Sequence, residues 1–71
     1  MTPIAQLKNI KEMGIHLSVI ARKTGIEYHR MMRVMRGQAK GFDAAETQKI
    51  AHVHKVSVRW EKAVRATYDN G

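Results

Sequence analysis

LSVIARKTGIEYHRMMRVMRG, residues 17–37, decides how the rest of the chain is read. It divides into two short helices joined by a tight turn. Ala21 stands four residues before Gly25, and its small side chain lets a crossing helix approach closely. Gly25 can adopt the positive φ that a sharp turn demands at little steric cost. Ile26 then points inward. From Glu27 onward, Met31, Val34 and Met35 recur at spacings that lay one apolar stripe along a helix. The opposite face carries Tyr28, His29, Met32, Arg33 and Arg36, and Gly37 ends the helix as a C-terminal glycine does.

Working outward, Thr2 reads as an N-cap and Pro3 as the first residue of a helix running to about Met13, because proline lacks only an N–H that would be unpaired there anyway. Ile4, Leu7, Ile10 and Met13 form its inner stripe, Lys8 and Lys11 face water, and Gly14 stops it. Ile15 tucks under the turn. His16 or Ser18 caps the second helix, which runs through Val19, Ile20 and Ala21 to Thr24 with Arg22 and Lys23 outside. Residues 38–42 show no helical period and read as a surface loop. Asp43 caps a fourth helix over about Ala44 to His54, with Ile50, Ala51, Val53 and His54 inward and Glu46 and Lys49 solvated. Lys55 and Val56 form a short connection. Ser57 caps a fifth helix to about Tyr68, with Trp60, Val64 and Thr67 or Tyr68 at helical spacing and Trp60 in the core. The expectation is all-α: one domain, residues 1–71, a compact bundle of about five short helices with a helix-turn-helix inside it.

Charge narrows the partner. The chain has 71 residues with 13 Lys and Arg against 6 Asp and Glu, a formal net charge of +7. Residues 1–37 hold seven basic and two acidic groups, and residues 38–71 hold six and four, so the excess is concentrated in the first part. Such a balance favours an anionic partner, nucleic acid first. Cysteine is absent, which excludes a disulfide framework and a thiolate zinc site and fits the cytoplasm. MTPIAQLKNIKEMG has no unbroken apolar run, so it reads as neither a signal peptide nor a membrane span, and the protein is expected to be soluble.

The run Ala21, Gly25, Ile26, Met31 and Val34, with Gly37 twelve residues after Gly25, resembles the helix-turn-helix of phage Cro and lambda-repressor-like proteins. Val56-Ser57-Val58 followed by Trp60 is similar to the segment leading into that family's fifth helix, so the resemblance spans roughly residues 4–64. It implies that the helix from about Glu27 to Arg36 enters the major groove. By position Tyr28, His29, Met32 and Arg33 would then read bases. Arginine can pair bidentately with guanine O6 and N7, His and Tyr offer single donors or acceptors, and Met offers an apolar contact to a thymine methyl. Arg22, Lys23, Arg36 and Lys40 would hold the backbone, and Val64 and Tyr68 would meet a two-fold mate. The chain departs from the family twice: Leu17 stands where a Gln often contacts phosphate, and Glu27 replaces the usual Ser or Thr cap.

Catalysis finds no support. His52 and His54 are two apart and face different sides of a helix, so they cannot share an ion well, and no metal or other cofactor is expected. HExxH, a paired-carboxylate cleft, a nucleophile with its base and a phosphate-cradling Gly-rich loop are all missing. The expected function is a sequence-specific transcriptional regulator, a Cro-type phage or prophage repressor in the bacterial cytoplasm. It would occupy a palindromic double-stranded operator as a homodimer, formed in free solution or only on DNA. The alternatives are an antitoxin-like autoregulator that also binds a protein, and a protein-binding inhibitor on the same scaffold.

Overall fold

The structure is a computed structural model that describes the backbone of residues 1–69 and the side chains of residues 1–65. The described residues form four helices: α1 (Pro3–Glu12), α2 (Leu17–Thr24), α3 (Tyr28–Met35) and α4 (Ala44–Asp69). No strand occurs among the described residues.

Each start has a local cause. Thr2 Oγ1 accepts the Ala5 N–H at 3.1 Å, with Pro3 in the first turn. His16 holds the N-cap position of α2 through its backbone alone, and Ser18 lies inside the helix. Asp43 and Glu46 form a reciprocal capping box on α4: Glu46 N donates to Asp43 Oδ1 at 2.7 Å and Asp43 N to Glu46 Oε1 at 3.0 Å. The turn between α2 and α3 is built on Gly25, at φ 74°, whose N–H donates to Ala21 O at 2.9 Å. Thr24 locks it. Its buried Oγ1 donates to Ile20 O at 2.9 Å and accepts the Ile26 N–H at 3.3 Å, so a hydroxyl pairs a donor that the turn would otherwise strand.

Leu7 and Ile10 of α1, Ile20 and Ala21 of α2, Ile26, Met31 of α3 and Ile50 of α4 form the core. Ile15, Leu17, Met35, Phe42 and Val53 pack around it, and Val34 is buried as well. Leu17 thus spends its side chain on packing. His54 Nε2 lies 2.8 Å from Asn9 Oδ1, a half-buried polar tie between α4 and α1.

Three expectations are corrected. The expected fourth and fifth helices are one helix of 26 residues, unbroken at Lys55, Val56 and Ser57. Nothing from Ala44 to Asp69 is Gly or Pro, and a serine inside a helix costs only about 0.5 kcal/mol, so a cap-forming residue alone does not end a helix that can continue. Trp60 is not core but 69% exposed, because it stands on the wall of an open groove opposite Ile15, Val19 and Ile20 and is not packed beneath them. The radius of gyration is 13.0 Å and the long axis 45 Å, against about 11 Å expected of a compact chain this size. Glu46, expected in solvent, is half-buried and paired with Arg30.

Candidate nucleic-acid interface

α3 is an amphipathic helix held at both ends. Met31 and Val34 fix its inner face. At its start Glu27 is the N-cap: its carboxylate accepts the His29 N–H at 3.1 Å and the Arg30 N–H at 2.8 Å. Those two backbone bonds, and then the His29 ring, hold the Glu27 carboxyl below the usual carboxylate range, so it remains an anion and an acceptor. Capping is therefore how the chain uses an acidic residue at a position where Ser or Thr is a common cap. At the far end Arg36 N donates to Met32 O, and Gly37, with positive φ, donates to Val34 O.

The flank of α3 is clamped by a residue that sequence reading passed over. Arg30 Nε donates to Glu46 Oε2 at 2.8 Å, and its Nη2 donates to Glu46 Oε1 at 2.7 Å and to Gly41 O at 3.0 Å. This fork ties α3, the loop and the first turn of α4 into one frame. It also sets the charges. The Arg30 guanidinium, then the Asp43 backbone N–H, brings Glu46 down to about 2, and Glu46 in turn raises Arg30.

Of the expected base readers, Tyr28, His29 and Arg33 lie exposed on the outer face of α3. The Tyr28 and His29 rings meet edge to face, centroids 5.5 Å apart. Met32, assigned to the same open face, is half-buried in a shallow depression with Tyr28, Met35 and Arg36. Lys11, His16 and Leu17 line the other side of that depression. Lys11 and His16 therefore extend the basic face beyond α3, and only their placement in space, not their distance along the chain, assigns them to it.

The expected backbone contacts separate. Arg22, Arg36 and Lys40 are exposed, Arg36 beside Tyr28 and Met32. Lys23, also exposed, lines a different groove between α2 and α4 with Val19, Val53, Val56 and Trp60, and it neighbours Lys49 and His52. Val64 is half-buried on the projecting part of α4, and the Tyr68 side chain lies outside the described residues. No group of three His, Asp or Glu side chains suited to a metal ion occurs among the described residues, and no described helix is long and apolar enough to cross a membrane. No family model, curated protein or solved structure matches the chain.

Proposed function

We propose that the protein binds double-stranded DNA in a sequence-selective way and regulates transcription as a repressor of the Cro type, with α2, the Gly25 turn and α3 acting as a helix-turn-helix. One observation carries this reading: α3 presents Tyr28, His29, Arg33 and Arg36 on its open face while Glu27 and the Arg30–Glu46 fork fix its position. Side chains of these types can read base edges, and a rigid mount gives them a constant register in the groove. Lys11 adds positive charge beside them, and the exposed Arg22 of α2 and Lys40 of the loop supply further charge for phosphates. The role is occlusion of a promoter by a bacterial, phage-borne regulator, with no chemistry required.

A homodimer belongs to the same proposal. The projecting part of α4 carries Val56 and Trp60 uncovered, and with Val19 they make an apolar patch that a second copy would cover. On a palindromic site, two α3 helices would then lie about 34 Å apart, one turn of B-DNA. The same patch supports the second reading, an autoregulator that also takes a protein partner, in which case that partner rather than a second copy occupies it.

Selection of duplexes from a random pool tests both parts. An enriched palindrome with half-sites one turn apart supports the dimeric regulator. Binding that is absent at about 50 mM salt, or that changes little with salt, overturns the DNA reading, since about six phosphate contacts per dimer imply a log–log slope of roughly −5.

A further inference from the structure

His29 is held in one tautomer. Its Nδ1 lies 3.0 Å from Glu27 Oε1, and the same carboxylate accepts the His29 and Arg30 backbone N–H groups. An ionised carboxylate offers no proton, so Nδ1 must carry the hydrogen of this contact. Nε2, the other ring nitrogen, then has no proton while the ring is neutral and can only accept. It is also accessible: the His29 side chain is 74% exposed and that of Glu27 61%. The Tyr28 ring meets the imidazole edge to face, with centroids 5.5 Å apart.

Resting on the DNA-binding reading, we propose that His29 is a charge-dependent specificity residue whose Nε2 accepts from a base amino group when the ring is neutral and donates to a guanine when it is protonated. In the major groove, adenine N6 and cytosine N4 are donors, whereas guanine presents only the acceptors O6 and N7. A neutral His29 thus matches the amino group of adenine or cytosine, and an imidazolium, with protons on both nitrogens, matches guanine; adenine N7 also accepts, so cytosine against guanine is the pair that separates the two charge states. Glu27 makes the change sharp, because without it a neutral imidazole could offer either nitrogen as the donor. The charged and titratable groups on this side are Arg33, one turn along the same face, and Lys11, His16 and Arg36 around the depression that Tyr28 lines, while Asp43 and Glu46 of the α4 cap are engaged on the Arg30 side.

Two measurements on the full chain test this. Long-range nitrogen–proton NMR of the free protein at about pH 8 reads the tautomer directly, and Nδ1–H is expected at His29, with a shift toward Nε2–H in Glu27→Gln. A panel of duplexes carrying every single base-pair change in the best selected site is then titrated at about pH 8 and about pH 5.5. At one position the preference for cytosine over guanine should change by about tenfold between the two conditions, and in His29→Ala that change should vanish. A dominant Nε2–H tautomer, or duplex binding whose base preferences are the same at both pH values, overturns this inference and leaves DNA binding standing. Failure to bind any duplex at low salt overturns the DNA reading, and the base preference falls with it.

Discussion

Removing the Glu46 carboxylate by Glu46→Gln should destabilise the fold by about 2 kcal/mol near neutral pH, and the loss should disappear in acid. The carboxylate takes two bonds from Arg30 and one from the Asp43 N–H, and the Glu46 side chain is 16% exposed. Its pKa falls from 4.5 to about 2. At about 1.4 kcal/mol per unit that shift would be worth roughly 3 kcal/mol, and water reaching the 36% exposed Arg30 side chain reduces it to about 2. The carboxyl is harder to protonate in the folded chain than in the unfolded one. Its contribution is therefore complete above pH 4.5 and is lost progressively as pH falls toward about 2. Total stability for a chain this size is about 4–10 kcal/mol, so the variant should melt roughly 8–16 °C lower near pH 7. Urea unfolding of wild type and variant at several pH values measures the difference. A gap that stays constant from neutral pH down to pH 2 would refute the reasoning, because it would mean that the carboxylate's charge is not what the fork uses.

Thr24→Val keeps the shape of the side chain but strands the buried Ile26 N–H, so it should cost about 1–3 kcal/mol while Thr24→Ser costs less; thermal melts of the two compare them. Arg33→Ala should weaken binding to the preferred site by about 1–3 kcal/mol and relax selectivity at one base pair. Arg22→Ala and Lys40→Ala should instead weaken all duplexes alike and reduce the salt slope by about one unit, as titrations at two salt concentrations would show. Trp60→Ala should leave monomer unfolding within about 0.5 kcal/mol of wild type, since the ring is exposed, and sedimentation on operator DNA should show a weakened dimer. A large loss of monomer stability would mean that the ring is covered by its own chain.

Much of the frame was legible because its causes are local. Thr2-Pro3, Gly25 between two apolar patterns and Asp43 before a helical run each act within one turn of the residues they organise. The inner faces of α1 and α3 followed from period alone. What failed involved distance or continuity. Arg30 and Glu46 are 16 residues apart, and no periodicity links an arginine on one helix to the capping glutamate of another. Lys11 and His16 join the face of α3 only through the fold. Period places Trp60 on a stripe with Val64 and Thr67 or Tyr68, but it cannot say whether anything lies opposite that stripe. Ser57 shows the same limit, since a residue that can cap a helix also sits inside one at small cost.

The three arginines of the α3 region have the same formal charge and different work. Arg30 is spent on Glu46 and Gly41, so it contributes rigidity, and its charge is offset by that of Glu46 in the field that an anionic partner meets. Glu27, the one acidic residue on the open side, is spent on two backbone N–H groups and the His29 ring. What remains directed outward is Arg33 and Arg36 with His29 and Tyr28. Counting charges along residues 22–40 therefore overstates the cationic field of the face and misses its order: one ion pair braces the helix from the side, and one capping carboxylate both starts the helix and orients a ring. Substituting Arg30 should consequently weaken DNA binding through loss of register, with a salt slope close to that of wild type, whereas a lost phosphate contact would lower the slope by about one unit. An Arg30→Met variant that lowers the slope in that way, with stability unchanged, would place this side chain on phosphate instead of on Glu46.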